Sequence, residues 1–151
     1  MLKLSKKADY GLMALLHLAS QGCGQSASAK EIADAHELPL PLLAKVLQKL
    51  TKEGFLEAAH GTNGGYRLAR DAGRISALAV IRAIDGPVFL TSCSSTDSGC
   101  HNTPRCTARR PLEKIREDIL RLLEDTTILE MSASNRPKEV LISLPATRIT
   151  A

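Results

Sequence analysis

The sequence has very few aromatic residues, which limits the ways in which it could bind a ligand. It contains no Trp, two Tyr and two Phe, so that aromatic residues make up 3% of the chain. Binding of nucleic acid by stacking bases on an aromatic platform is therefore not expected. Long apolar runs and a signal-peptide core are also lacking. We accordingly expect a cytoplasmic protein with no membrane partner.

Recognisable catalytic motifs are lacking as well. The sequence shows no phosphate-binding loop, no pairing of a nucleophile with a base and no paired carboxylates in a known setting, so we do not expect an enzyme. Its 151 residues suffice for one domain, or for a small domain with an appendage. A net charge of +4 permits nucleic acid as a partner without requiring it.

The first seventy residues predict three helices, of which the second and third are joined by a tight turn. Apolar residues recur at helical spacing from Ala8 to Ala19, and the glycines of "QGCGQS" end this pattern. Ser28 and Glu31 have the spacing of a capping box and begin a short second helix. The prolines of "ELPLPLLAKVLQKLTKEG" are tolerated only at the start of a third helix.

The third helix predicts a surface for DNA. Its apolar stripe is Leu43, Val46, Leu47 and Leu50, and the opposite face carries Lys45, Gln48, Lys49 and Lys52. Most charged helix faces are merely solvated. In a helix-turn-helix, however, such a face enters the major groove, where Lys contacts phosphates and Gln or Lys contacts bases.

A β-hairpin is expected directly after the third helix. The runs Phe55 to Ala59 and Tyr66 to Ala69 flank a turn rich in Gly and Asn. This order of elements is that of a winged helix, with His60 and Arg67 beside the tip of the wing. The glycines 61, 64 and 65 would let the backbone approach DNA closely, or would serve only the turn. The predicted DNA-binding residues are Lys30, Pro41, Leu42, Lys45, Gln48, Lys49, His60, Gly61 and Arg67.

Three of the four cysteines are clustered in "CSSTDSGCHNTPRC". Cys93, Cys100 and Cys106 have the spacing C-x6-C-x5-C in a polar segment that offers thiols little apolar material for packing. Disulfides are uncommon in the cytosol, so the cluster indicates metal binding or redox sensing. A structural zinc site with His101 is one alternative, although no two of these cysteines are two to four residues apart. A small electron-transfer protein is another, and Cys23 is interpreted as a bystander.

A long amphipathic helix follows the cysteines. The sequence from Pro111 predicts a helix with a single apolar stripe, namely Leu112, Ile115, Ile119, Leu122 and Leu123. A second copy of the chain would cover this stripe and suit a palindromic operator in double-stranded DNA, so we expect a homodimer. Packing on the first helix is the alternative.

The predicted fold is mainly α with a small β-hairpin, namely a winged helix-turn-helix plus a long dimerisation helix. The expected segments are a DNA-binding module at 1–74, a short helical connector at 75–90, a cysteine loop at 91–108, the dimerisation helix at 109–131 and a tail at 132–151.

Several of these motifs together resemble the Rrf2 family of bacterial transcription regulators. They are "LSKKADYGLMALLHLA", "SAKEIA", "HGTNGGYRLAR" and the three cysteines before a long helix, and they extend from about residue 1 to residue 130. The opening "MLKLSKKADYGL" looks most similar to the branch that regulates the SUF system of iron-sulfur assembly.

The resemblance implies that the clustered thiols hold an iron-sulfur cluster, [2Fe–2S] rather than [4Fe–4S]. It further implies a regulator that senses cluster status, redox state or nitric oxide and controls iron-sulfur assembly genes. Some relatives take a fourth ligand from a His that corresponds to Arg109 here, which cannot serve. Others use an acidic residue of the partner's first helix, which matches Asp9. Alternatively, the negative charge of Asp9 only stabilises the N-terminal end of its own helix. His101 is the competing candidate for the fourth ligand.

Overall fold

The chain forms six helices and one β-hairpin in the part that the structure describes, which confirms the predicted fold class. The computed structural model describes residues 3–61, 64–90 and 105–134. The elements are α1 (Lys6–Gln21), α2 (Ala29–His36), α3 (Leu40–Lys52), β1 (Leu56–Ala59), β2 (Gly65–Leu68), a 3-10 turn (Ala72–Arg74), α4 (Ala77–Asp85), α5 (Arg109–Asp125) and α6 (Ile128–Ser134). None of these helices is long and apolar enough to cross a membrane.

Serine side chains fix the starts of three helices. Ser5, Ser28 and Ser76 each accept a hydrogen bond from the backbone N–H three residues later. At α2 the carboxylate of Glu31 returns a bond to the N–H of Ser28, which completes the capping box predicted from the sequence. These caps satisfy N–H groups that have no partner within their own helix.

Helix α1 is the centre of the hydrophobic core and packs against α3, α4 and α6. Full burial of a Leu or Ile side chain contributes about 1.5–3 kcal/mol. Gly11 lets α4 come close to α1, because a Cβ at this position would overlap the side chain of Ile84. The fully buried side chains include Leu15, Leu18, Ile32, Leu43, Leu47, Leu50, Ile81 and Ile128.

The hairpin is held against the connection between α1 and α2. Its strands pair antiparallel, with Ala59 opposite Gly65. Backbone hydrogen bonds of 3.0 and 2.8 Å join Ala27 to Tyr66. A Cβ at Gly65 would overlap the carbonyl group of Ala27. Gly65 therefore lies within a strand, not in the turn as predicted. A side chain is excluded at this position because the backbone of Ala27 lies too close.

The single helix predicted at 109–131 is wrong, because two helices, α5 and α6, occupy this region. The chain turns at Thr126, where the backbone bonds to the segment that precedes α4. The N–H of Ala77 donates to the carbonyl oxygen of Thr126 at 2.9 Å, and the N–H of Ile128 donates to that of Ile75 at 2.9 Å. These bonds replace the helical ones and turn α6 back onto α1.

A second capping box begins α6. The hydroxyl of Thr127 accepts from the N–H of Glu130, and the carboxylate of Glu130 accepts from the N–H of Thr127. Because α6 continues to Ser134, the first three residues of the predicted tail at 132–151 are helical. The rest of that tail, from residue 135, lies outside the described residues.

Removal of the α6 cap should destabilise the fold. We expect Thr127→Ala to lower the free energy of unfolding by about 1 kcal/mol, since it removes an N-cap side chain. Ser134→Ala is the matched control, because this hydroxyl only bonds the carbonyl group of Glu130 at the end of α6. Urea denaturation measures both variants. Equal stability of the two would contradict a role for Thr127 in starting α6.

Candidate nucleic-acid interface and cysteine segment

Helices α2 and α3 form a helix-turn-helix with a tight turn. Glu37 ends α2 in the left-handed conformation, with a φ of 52°, and its N–H donates to the carbonyl oxygen of Ala33. Pro39 is the N-cap of α3, and Pro41 lies in its first turn. Backbone N–H groups in the first turn have no acceptor within the helix, so a proline there removes no helical hydrogen bond. The sharp reversal fixes the angle at which α3 leaves the core.

The two faces of α3 differ as the sequence predicted. The apolar stripe, namely Leu43, Val46, Leu47 and Leu50, is buried. The opposite side chains, which are Pro41, Lys45, Gln48, Lys49 and Lys52, are exposed. The helix therefore presents to solvent a surface that carries positive charge and amide groups and that is anchored by a buried stripe.

Lys49 has an intramolecular partner that the sequence did not reveal. Its Nζ donates to the carbonyl oxygen of Ile84 at 2.9 Å, in the last turn of α4. The C-terminal end of a helix carries partial negative charge, so this position suits an ammonium group. Lys49 therefore connects α3 to α4.

A third lysine, Lys7 of α1, joins the positive surface of α3. It lies with Lys45 and Lys49 around a depression of about 170 Å³. The remaining lining residues are Leu42, Val46 and Ile84. Sequence reasoning missed Lys7 because only the packing of α1 on α3 brings it to this surface. Three lysines that line one depression attract an anion such as a phosphate.

The predicted wing residues differ in how freely they could reach DNA. His60 and Gly61 are exposed directly after β1, and Gly61 has a φ of 118°, which favours glycine. Arg67 lies within β2, opposite Glu57, and its guanidinium forms an ion pair with that carboxylate. Its charge is therefore partly neutralised away from the tip. Residues 62–63 of the turn lie outside the described residues.

Lys30 lies on the exposed surface of α2. Its Nζ is 3.6 Å from a carboxylate oxygen of Asp34, and both side chains are largely exposed. Surface pairs of this kind contribute little to stability, so the ammonium group could exchange Asp34 for a phosphate at small cost.

Of the three clustered cysteines, the structure describes only Cys106. Its thiol is exposed and forms no disulfide, and it lies just before α5. Cys93, Cys100 and His101 fall outside the described residues. Asp9 is exposed in the first turn of α1. The ligand set therefore stays a prediction, and what the structure adds is that Cys106 is accessible.

The end of α4 is bonded to both α1 and α3 and precedes the cysteine segment in the chain. Asp85 is the last residue of α4, and its carboxylate accepts hydrogen bonds from both the N–H and the hydroxyl of Ser5, the N-cap of α1. The preceding Ile84 accepts from Lys49 of α3. Five residues, 86–90, separate Asp85 from the cysteine segment. Both α1 and α3 are thus bonded to the end of α4.

Helix α5 has an apolar stripe that the described part of the chain does not cover. Ile115 is 48% and Leu122 is 66% exposed, whereas Leu112 and Ile119 are half-buried. Leu123 packs against the core of its own chain. Intramolecular packing therefore accounts for Leu123, while Ile115 and Leu122 remain open to a partner.

The comparisons with known proteins agree with this architecture. The model of the Rrf2 family, described as "Iron-dependent Transcriptional regulator", matches residues 4–134. CymR, the global cysteine regulator of B. subtilis, is 28% identical with a TM-score of 0.75, and the match covers 89% of this chain and 98% of that one. IscR of T. potens is 28% identical with a TM-score of 0.68, covering 88% of each chain. The oxidised form of Staphylococcus aureus CymR is 26% identical with a TM-score of 0.69, covering 86% and 95%. Because the family model spans most of its length, the chain belongs to the Rrf2 family of transcriptional regulators.

Proposed function

We propose that the chain is a homodimeric regulator whose DNA binding is controlled by an iron-sulfur cluster on Cys93, Cys100 and Cys106. The observation that carries the proposal is the position of the end of α4. It is bonded to α1 and α3 and leads into the cysteine segment. A change in that segment therefore has a short physical route to the DNA-facing surface. The regulated genes would be those of iron-sulfur assembly.

The proposed DNA contacts combine phosphate binding with base recognition. Lys7 and Lys45 would hold a phosphate, because both residues line the depression beside α3. Gln48, exposed on the outer face of α3, would contact base edges in the major groove. The exposed His60 and Gly61 would approach the minor groove, and Arg67 would contribute less because Glu57 already pairs with it.

The three thiols fit an iron-sulfur cluster chemically. Thiolates are its usual ligands, and Cys106 is exposed and free of a disulfide. When bound, the cluster would supply a group that reacts with oxidants or nitric oxide. The proposed fourth ligand is Asp9 of the partner subunit, whose carboxylate is harder than a thiolate and is therefore displaced more easily.

A thiol-based regulator without a cluster is the second candidate. It is favoured by the likeness to the cysteine regulator CymR and to its oxidised form. In this case Cys106 would act through its accessible thiol. A peroxide would oxidise it to a sulfenic acid with release of water, or a small disulfide would form a mixed disulfide with it and release one thiol. Both candidates share the DNA-binding surface and differ only in what the cysteines hold.

Substitution of the lysines should separate DNA binding from stability. We expect Lys45→Ala to weaken binding to all DNA sequences and to reduce the slope of log affinity against log salt concentration by about one. Its free energy of unfolding should stay unchanged. Lys49→Ala should also lower the free energy of unfolding, because its bond to Ile84 is lost. Fluorescence anisotropy at several salt concentrations, together with urea denaturation, measures both effects.

Lys114→Ala is the control for these lysines, since Lys114 lies on α5 and pairs with Asp118. In the same assays Gln48→Ala should mainly relax base preference. Wild-type binding by both the Lys45 and Gln48 variants would show that this face of α3 is only solvated.

A charge in the apolar stripe of α5 should separate the dimer. Leu122→Asp places a carboxylate where the proposed interface would strip it of water, and no partner compensates for this cost. Analytical ultracentrifugation should then show a monomer, which no longer binds an operator with two half-sites. The neighbouring Arg121→Asp adds the same side chain to another face of α5 and should remain dimeric. A dimeric Leu122→Asp variant would exclude this stripe as the interface.

Anaerobic spectroscopy distinguishes among an iron-sulfur cluster, a zinc ion and metal-free thiols in the cysteine segment. The cluster proposal expects a coloured protein whose Mössbauer spectrum contains iron, and Cys106→Ser should bleach it whereas Cys23→Ser should not. Asp9→Ala should alter the spectrum while leaving the dimer intact, and His101→Ala should leave the spectrum unchanged. A colourless protein with one bound zinc ion would contradict the cluster, and a colourless protein without metal would favour the thiol-based regulator.

A further inference from the structure

Two histidines from different helices meet at the surface between α1 and α2, on residues that the DNA and cysteine proposals do not use. His17 Nδ1 lies 3.2 Å from His36 Nε2. The rings meet edge to face, with centroids 5.2 Å apart and an interplanar angle of 79°. Both side chains are half-buried. One ring nitrogen from each helix therefore faces the same point, with a single proton between the two.

We propose that His17 and His36 form a binding site for one divalent transition-metal ion, of the zinc or copper type. Two metal–nitrogen bonds of about 2.0–2.1 Å at a tetrahedral angle place the nitrogen atoms about 3.3 Å apart. The separation in the structure, 3.2 Å, is close to this value. Binding requires that the proton between the two rings move, by exchange with solvent, to the outer nitrogen of the ring that carried it, and that each ring rotate slightly so that both lone pairs face the metal ion.

The surroundings of the pair fit this role. The side-chain amide of Gln21 lies 3.0 Å from the second ring nitrogen of His17, Nε2. Metal-bound histidines commonly have such a partner on the other nitrogen, because it fixes the tautomer and the ring orientation. The amide of Gln21 suits either tautomer, since its rotation presents an oxygen or an NH₂ group to Nε2.

A cavity beside the pair offers room for the remaining ligands. Its volume is about 390 Å³, and Ser20 and Ser132 contribute to its wall with the two histidines. In the described part of the chain, no third His, Cys, Asp or Glu completes a larger group. Water or a small exogenous donor would therefore fill the other positions. A bound ion would connect α1 to α2, the first helix of the helix-turn-helix.

Metal titration of a cysteine-free chain tests this site without competition from thiolates. All four cysteines are replaced by Ser in the full-length protein, and its fold is checked by circular dichroism. Zn²⁺ in competition with a chromophoric chelator should show one saturable site, and His17→Ala and His36→Ala should each abolish it. Gln21→Ala should weaken binding about tenfold, as expected for a partner that orients a ligand. His60→Ala, which changes an exposed histidine of the wing, should bind like its parent.

A spectroscopic measurement identifies the ligands directly. With one equivalent of Cu²⁺, the electron paramagnetic resonance spectrum of the cysteine-free chain should show coupling to two imidazole nitrogens, and one should be lost in each of the two histidine variants. Absence of saturable Zn²⁺ binding, or equal affinity in the His17 and His36 variants and their parent, would show that the histidines form only a hydrogen bond.

Discussion

The contacts made by the last turn of α4 connect it to both α1 and α3. Ile84 packs against Gly11 of α1, where any larger residue would overlap it, and its carbonyl oxygen accepts a bond from Lys49 of α3. The next residue, Asp85, binds the N-cap of α1 through Ser5. Two consecutive residues at the end of α4 are thus bonded to both α1 and α3, and they add to the buried stripe that anchors α3 in the core.

In our proposal the cysteine segment acts through the two helices that flank it in the chain. This segment is bounded by α4 before it and by α5 after it, and α5 carries the uncovered stripe with Ile115 and Leu122. A ligand that draws Cys106 towards the other thiols would therefore act on the helix proposed for dimerisation and, through Asp85, on α1. In our proposal these two connections make one ligand-dependent segment control both the spacing of two DNA-binding modules and the position of each.

Local signals predicted much of the fold, and tertiary contacts account for what they missed. Ser28 and Glu31 revealed the start of α2, and Thr127 and Glu130 have the same spacing. The second pair was overlooked because a single helix was predicted to run through it to residue 131, although backbone bonds to the segment before α4 break the helix there. The partner of Lys49 is a backbone carbonyl group 35 residues away, and Lys7 reaches the positive surface only through packing. Neither leaves a pattern in the sequence.

The most direct test of the account is the DNA affinity of cluster-loaded and cluster-free protein, measured anaerobically in the wild type and in Asp85→Ala. If α4 transmits the state of the cysteine segment, the two wild-type affinities should differ by about tenfold or more, which corresponds to about 1.4 kcal/mol of coupling. In Asp85→Ala this ratio should fall towards one while the protein stays folded and dimeric. Equal affinities of the loaded and cluster-free wild type would contradict control by the cysteines. If Asp85→Ala showed the same ratio of loaded to cluster-free affinity as the wild type, the route through α4 would be contradicted.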